Sequence, residues 1–274
     1  MRAIVLVFEG LDRRVLLCEE LGFDGVVCTD RGLVTASDVG GRTLPARARG
    51  VEHLDAAVRR LLRVKPELGL FDDPFVDEST AAERLGTAKA VAAGRRAQAE
   101  LVTVLHRAPG TLPLAAGTRV HVEGVDPAAV EAAGLQLAHP EDAELAVVRL
   151  QAPWEPRDTY VLEAEFHAGS LEFDADTVAR TAQLARRLPV VIAVHLDRPA
   201  VLTPLLPHSA ALLAVYGTSD AALLDVLTGR VRPRGKLPFQ LPRSDAAVAA
   251  SRPDVPGDTA DALFEAGAGV VADW

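Results

Sequence analysis

A carboxylate follows a short apolar segment near the start of the chain. In "LGFDGVVCTDRG" (Leu21 to Gly32), a glycine-bracketed turn leads into "GVVCT", which predicts a buried strand that ends just before Asp30. Because an unpaired carboxylate is costly to bury, we expect Asp30 to emerge at the carboxyl end of that strand, where α/β folds build their sites. The neighbouring Arg31 favours the ionised carboxylate. A second interpretation stays open, in which Asp30 is only a strand-end turn residue.

The elements around Asp30 predict a β–α–β unit. "AIVLVF" (Ala3 to Phe8) and "GVVCT" are the strands, and "LDRRVLLCEEL" between them has apolar residues at helical spacing. The glycine-rich segment from Val34 to Gly50 is expected to be a loop. "LDAAVRRLLRVKPELGLF" predicts an amphipathic helix that Pro66 bends or ends, and "AAGRRAQAELVTVL" predicts a further helix leading into an apolar segment.

From Thr118 onward, apolar segments and helical segments alternate regularly. The predicted strands are "RVHVEG", "ELAVVRL", "PVVIAVHL" and "ALLAVYG", near Val120, Val147, Val191 and Leu213. The predicted helices span 127–133, 174–188, 199–206 and 219–227, with Ser219 as the cap of the last helix and Gly229 as its end. Apolar strands alternating with helices predict an α/β fold, a three-layer sandwich whose mostly parallel sheet is covered on both faces.

Composition narrows the class of protein. The 274 residues are 49% hydrophobic and 24% charged, which is typical of a globular protein with a core. The net charge of −9 argues against nucleic acid or an anionic membrane surface as a partner. Cys18 and Cys28 lack zinc-like spacing, and their apolar surroundings favour reduced core thiols. The apolar N-terminal segment is too short for a membrane span and lacks a cleavage site. We therefore expect a cytoplasmic protein without a metal or cofactor.

Several motifs resemble glycoside hydrolase family 3, the β-glucosidase family. "LGFDGVVCTDRG" resembles the segment that carries the family's nucleophile, and "AAVRRLLRVKPELGLFDDPFVD" resembles the helix and turn that leave its catalytic barrel. "LTGRVRPRGKLPFQLPRS" resembles the end of the family's sandwich domain, and "EAEFHAGSLEF" (Glu163 to Phe173) resembles a segment of one bacterial branch. The resemblance covers most of residues 11–274. It implies a remnant of a (β/α)8 barrel with a linker in residues 1–96, and the C-terminal α/β sandwich domain with a tail in residues 97–274.

The same resemblance implies a retaining β-glucosidase-type hydrolase of terminal sugars. Such enzymes use two carboxyl groups about 5–5.5 Å apart. Asp30 matches the nucleophile, and Glu165 and Glu163 are the candidate acids in a polar loop after a strand. Arg31 and His167 are the candidate substrate-binding residues. Two interpretations compete with these roles: both glutamates as exposed loop acids, and His167 as a structural hydrogen-bond donor.

This sequence also departs from the family's pattern. Only 29 residues precede Asp30, whereas a (β/α)8 barrel takes about 250 residues. A further barrel stretch is missing after "GVEHL" (Gly50 to Leu54). Arg31 stands where the family usually has Trp, whose ring would offer a stacking face for a sugar.

Three hypotheses follow from the match and the departures. The first is a hydrolase of a small glycoside, impaired by the missing barrel. The second is a non-catalytic binding or interaction remnant, a pseudoenzyme. The third is one half of a split enzyme, in which another chain supplies barrel strands. The exposed edges of the two N-terminal strands would need a cover, such as self-association or a barrel-supplying partner.

Overall fold

The computed structural model describes residues 3–7, 25–29, 33–34, 51–75, 77–157, 159, 166–252 and 254–270, and the surroundings of side chains from Val58 onward. The chain divides into two compact units, Met1–Arg84 and Leu85–Trp274. The assignment of residues 1–96 to a barrel remnant with a linker, and of residues 97–274 to the sandwich domain with a tail, stays a prediction.

The first unit contains a small sheet of three strands among the described residues. Strand β1 (Ala3–Val7) pairs in parallel with β2 (Gly25–Thr29), as the β–α–β pattern predicts. The prediction of a loop from Val34 was wrong at that residue. Val34 is the last residue of a third strand, β3 (Leu33–Val34), which pairs antiparallel to β2. Two residues are too few for an alternating pattern to reveal a strand. The predicted crossover helix, with Cys18, and the rest of the predicted loop lie outside the described residues.

Helix α1 (Val51–Glu67) follows. It ends one residue after Pro66, and Gly69 then donates its backbone N–H to the Pro66 carbonyl with a φ of +72°. The predicted effect of Pro66 is thereby confirmed. Asp77 accepts the Ser79 backbone N–H and starts a short 3₁₀ turn, Glu78–Thr80, which leads into helix α2 (Ala81–Arg84).

The second unit is built on a sheet of six strands. Its elements, in chain order, are α3 (Ala88–Leu101), β4 (Thr103–Arg107), β5 (Arg119–Glu123), α4 (Pro127–Ala132), β6 (Gln136–Leu137), β7 (Leu145–Gln151), α5 (Ala175–Ala185), β8 (Val190–His195), β9 (Ala211–Val215), α6 (Asp220–Leu227), β10 (Leu241–Pro242), α7 (Asp245–Ala250) and β11 (Ala262–Phe264). The strand order is β4-β9-β8-β7-β5-β6. All pairs are parallel except β4 with β9, which confirms the mostly parallel sheet.

Both faces of this sheet are buried. Along β8, Val191 and Ala193 pack into a core that includes residues of α3, α4 and α6. The alternate residues Val190, Ile192 and Val194 pack into a second core that includes residues of α5 and the segments around β10 and β11. Successive side chains of a strand point to opposite faces, so an unbroken apolar run produces the predicted three layers.

One predicted helix, 199–206, is absent. That stretch holds turns and a 3₁₀ segment, Leu206–His208. Pro204 removes a backbone donor, and a regular helix over 199–206 would lose that hydrogen bond. The apolar residues that suggested a helix, Leu202 and Leu205, are fully buried.

Both ends of α6 match the prediction. The Ser219 hydroxyl accepts the Ala222 backbone N–H at 3.3 Å, and Gly229 follows the helix with a φ of +73°. Within the described residues, no helix combines the length and the apolar composition needed to cross a membrane.

Candidate functional site

The loops after β7 and β8 leave the sheet at the same edge. These two strands are parallel neighbours, with Gln151 opposite His195 at their carboxyl ends. Parallel α/β sheets place their sites at this edge, because the loops that follow neighbouring strands converge there. The loops after β7 and β8 are therefore where a site is expected.

These loops bring together Trp154, His167 and Asp197. The rings of Trp154 and His167 are stacked, with centroids 4.5 Å apart and planes 12° apart. The His167 Nδ1 atom is hydrogen-bonded to a carboxylate oxygen of Asp197. A carboxylate oxygen accepts hydrogen bonds, so Nδ1 is the donor, and none of the described residues is hydrogen-bonded to Nε2. Trp154 is 41% exposed, so its ring remains in contact with solvent.

The segment that carries His167 is anchored on three sides. The Gly169 carbonyl accepts a hydrogen bond from Arg198 Nη2 at 2.8 Å. The Ser170 N–H donates to Glu155 Oε1 at 3.1 Å, and its hydroxyl donates to Asp245 Oδ2 at 2.6 Å. These contacts tie the segment to the loops after β7 and β8 and to the start of α7.

Glycine is favoured at position 169 for two reasons. Its φ is +86°, a conformation that favours glycine. A Cβ atom there would lie 2.3 Å from the Glu155 Cδ atom, well inside van der Waals contact. The close approach of the segment to Glu155 therefore depends on the missing side chain.

A neighbouring network joins strand β7 to the loops after β5 and β9. Arg149 donates to an Asp220 carboxylate oxygen and to the Thr218 carbonyl. The second Asp220 oxygen accepts the Asp126 backbone N–H at 2.9 Å. At the end of β9, burial raises the pKa of Tyr216, whose hydroxyl lies 3.5 Å from Thr103 Oγ1. Arg149 and Asp220 thus satisfy each other across these elements, whereas the buried Thr218 hydroxyl has no hydrogen-bond partner among the described residues.

The chemistry of the Trp154 group suits a hydroxyl-rich ligand. An aromatic ring offers an apolar face, and a neutral imidazole whose Nδ1 donates to a carboxylate can accept a hydrogen bond at Nε2. Among the described residues, no group of three His, Cys, Asp or Glu side chains could hold a metal ion.

The structure covers only one of the five site residues predicted from the sequence. Asp30, Arg31, Glu163 and Glu165 lie outside the described residues, so their roles stay predictions. His167 is described, and it contacts Asp197 and Trp154. Its hydrogen bond agrees with the structural interpretation, and its role in substrate binding stays a prediction.

Sequence reasoning missed Trp154 and Asp197. A signal for Asp197 was present: it follows the apolar run "PVVIAVHL", just as Asp30 follows "GVVCT". The contact between Asp197 and His167 spans 30 residues of chain and leaves no trace in local spacing.

Comparison with known proteins gives consistent matches. β-Glucosidase C of Emericella nidulans is 40% identical over 93% of this chain and 48% of its own length. The periplasmic β-glucosidase/β-xylosidase of Dickeya chrysanthemi is 33% identical over 90% of this chain and 37% of its own length. The chain thus spans about half or less of these curated relatives.

Solved structures share the fold. The β-glucosidase of Listeria innocua in complex with glucose superposes with a TM-score of 0.61, at 18% identity, over 94% of this chain and 48% of that one. The Q683A mutant of an exo-1,3/1,4-β-glucanase from a Pseudoalteromonas species gives a TM-score of 0.63, at 22% identity, over 93% of this chain and 54% of that one.

The family assignment follows from a domain model. The model of the glycosyl hydrolase family 3 C-terminal domain matches residues 130–271, which include β7, β8 and the loops after them. The chain therefore belongs to glycosyl hydrolase family 3.

Proposed function

We propose that this chain carries the sandwich part of a retaining β-glucosidase-type hydrolase, acting on the terminal sugar of a small glycoside. The observation that carries the proposal is the stack of Trp154 on His167, with Asp197 bound to the imidazole, at the carboxyl edge of the sheet. An exposed aromatic ring beside polar hydrogen-bonding groups suits a sugar, which has apolar faces and a rim of hydroxyl groups. The relatives named β-glucosidases support the substrate class.

The roles of the carboxylates complete the proposal. Asp30 acts as the nucleophile, and Glu165 or Glu163 protonates the leaving oxygen. The required separation is about 5–5.5 Å, whereas about 6.5–9.5 Å would fit inversion through a water molecule. Glu165 precedes His167 by two residues, which is at most about 7 Å of extended chain. Both glutamates therefore stay candidates for the acid, with Glu165 closer to His167 along the chain.

We keep two alternatives, a non-catalytic binding module and one half of a split enzyme. A sugar held only by the sandwich edge would be poorly oriented toward Asp30, and misplacement by 1 Å can cost about 100-fold in rate. Arg31, which replaces the stacking residue expected from the family, adds to this concern. We therefore expect slow turnover by this chain in the absence of a barrel-supplying partner.

One experiment separates the three functions. Size-exclusion mass measurement is combined with hydrolysis of an aryl β-glucoside by the chain, by Asp30→Asn and by the control Asp254→Asn, which alters an exposed aspartate. The hydrolase is supported if the chain is a monomer that hydrolyses the glucoside, and if the rate falls at least 100-fold in Asp30→Asn but not in Asp254→Asn. A stable monomer without turnover supports the binding module. Turnover that appears only with an added barrel-containing chain supports the split enzyme. Turnover unchanged by Asp30→Asn contradicts Asp30 as the nucleophile.

We also propose a cytoplasmic location and a small glycoside as the main partner. The net charge of −9 supports the exclusion of nucleic acid and anionic membranes, which reward clustered positive charge. Cell fractionation tests the location. Retention of the chain by anionic vesicles at about 0.15 M salt would contradict the exclusion of membranes.

A further inference from the structure

A cleft lined by arginines lies between the end of α3 and the segment that follows α6. Its volume is about 140 Å³. The lining residues are Arg96, Glu100, Arg230, Val231, Arg232 and Arg234. None of them belongs to the Trp154 site, so the cleft is a separate feature of the second unit.

The backbone holds this segment tightly against the end of α3. The Arg234 N–H donates to the Glu100 carbonyl at 2.8 Å, and the Gly235 N–H donates to the Val102 carbonyl at 3.2 Å. A Cβ atom on Gly235 would lie 2.1 Å from the Leu101 carbonyl oxygen. The absence of a side chain at Gly235 permits this close approach, and the approach fixes the arginines beside the helix.

Positive charge in the cleft exceeds the negative charge around it. Glu100 is the one carboxylate in the lining, and its hydrogen bond from Arg96 lowers its pKa, so it is ionised at neutral pH. Arg230 lies 3.7 Å from Asp225, which already forms two hydrogen bonds with Arg95.

The remaining two arginines form no close ion pair, although the charge of Arg234 also contributes to lowering the pKa of Glu100. Within the described part of the chain, neither Arg232 nor Arg234 has a carboxylate oxygen within 4.0 Å of its side-chain nitrogens. Five arginines, including Arg95, thus face two carboxylates in a chain whose net charge is −9. This local excess of positive charge favours an anionic ligand.

We propose that this cleft binds a phosphate group. Planar guanidinium groups donate two parallel hydrogen bonds to phosphate oxygens, which makes arginine the preferred residue for this ligand. The volume of about 140 Å³ is below the roughly 300–1,000 Å³ of pockets for drug-sized ligands. A single phosphate group suits this space, either as inorganic phosphate or as the phosphate of a phosphorylated sugar. The inference is independent of the proposed hydrolase function.

Titration calorimetry of the full chain with inorganic phosphate tests the proposal. The double variant Arg232→Gln/Arg234→Gln removes two cleft charges. The matched control Arg186→Gln/Arg187→Gln removes two exposed charges next to α5, on the opposite face of the sheet. Phosphate affinity is expected to fall at least tenfold in the cleft variant and to change less than twofold in the control. Circular dichroism of each variant verifies that the fold is retained.

A second titration identifies the source of the phosphate. Glucose 6-phosphate binding at least tenfold more tightly than inorganic phosphate, with the gain lost in the cleft variant, indicates a phosphorylated sugar. Equal affinities indicate free phosphate. Absence of saturable binding of either probe, or equal losses in the two double variants, overturns the proposal. Glycoside hydrolysis is not the readout, so this failure would leave the hydrolase proposal untouched.

Discussion

Arg95 on α3 and Asp225 on α6 are joined by two hydrogen bonds across 130 residues of chain. Nε lies 2.5 Å from Oδ2, and Nη2 lies 2.7 Å from Oδ1. Asp225 is only 7% exposed, whereas the Arg95 side chain is 45% exposed. The hydrogen bonds from Arg95 satisfy a carboxylate that is costly to bury alone, and they fasten α3 to the core beside α6.

Arg95→Met should destabilise the second unit. The substitution leaves the Asp225 carboxylate buried, with Arg230 at 3.7 Å as its remaining ionic partner. We expect a loss of about 1–3 kcal/mol in the free energy of unfolding, the cost of an unsatisfied buried polar group. Urea denaturation followed by circular dichroism measures it.

The matched control is Arg63→Met. Arg63 pairs with Glu67 on α1, and both side chains are well exposed. An exposed pair of this kind contributes about 0.3–0.5 kcal/mol. Equal losses in the free energy of unfolding for Arg63→Met and Arg95→Met would mean that the buried contact stabilises the fold no more than the exposed one.

Gly169→Ala should be destabilising beyond the cost of its positive φ. Gly110 provides the comparison, because its φ is +76° and a Cβ atom there meets nothing within 4 Å. Gly110→Ala should cost about 1–2 kcal/mol, the general penalty for a left-handed conformation. Gly169→Ala should cost more, because its new methyl group displaces the Glu155 carboxylate from the Ser170 N–H.

A rescue variant isolates the steric part of this effect. Glu155→Ala removes the atoms that the new methyl group meets, so Gly169→Ala should cost less in a Glu155→Ala background than in the wild type. Thermal unfolding of the four proteins measures this coupling. Strict additivity of the two substitutions would contradict a clash between these residues.

Asp174 should make stability depend on pH in the acidic range. It caps α5, and hydrogen bonds from the backbone N–H and the hydroxyl of Thr177 lower its pKa in the folded chain. Its stabilising contribution is therefore complete above the unfolded pKa of about 3.9 and disappears as the pH falls through the lower folded value.

Thermal unfolding at pH 7 and in steps below pH 4 tests the role of Asp174. Asp174→Ala should lower Tm at pH 7, and the difference from the wild type should shrink as the pH falls. The control is Asp176→Ala, since the hydrogen bonds from Thr177 that lower the pKa of Asp174 do not involve the Asp176 side chain. A Tm difference for Asp174→Ala that is constant down to pH 2 would contradict the charged cap.

The sequence predicted the sheet better than its edges. Strands β7, β8 and β9 are apolar runs buried on both faces, and burial on two faces is what such runs require. The antiparallel direction of β4 could not be predicted, because it depends on pairing with β9 more than 100 residues away. The absent helix at 199–206 shows that apolar spacing alone cannot distinguish a helix from a buried turn, even where Pro204 inside the stretch argues against a helix.

The candidate site was also predicted only in part from the sequence. His167 was recognisable because it lies in a polar motif that resembles one branch of the family. Trp154 was overlooked because a single aromatic residue in a loop carries no pattern. Its significance comes from the stacking contact, which exists only after β7 and β8 bring their loops to one edge.

Trp154→Ala should weaken binding of glucose to the chain by roughly three- to tenfold, which corresponds to about 0.5–1.5 kcal/mol of aromatic contact. The reason is that the exposed ring of Trp154 is the apolar face on which we place the sugar. Phe166→Ala is the matched control, because Phe166 adjoins His167 in sequence and is 66% exposed. The affinity of the Phe166→Ala variant for glucose should stay within about twofold of the wild type, the scale of a surface substitution.

Saturation-transfer NMR with glucose reports both affinities. Equal weakening by the two substitutions would remove Trp154 from the sugar site, and Phe166 would then have to be considered part of it.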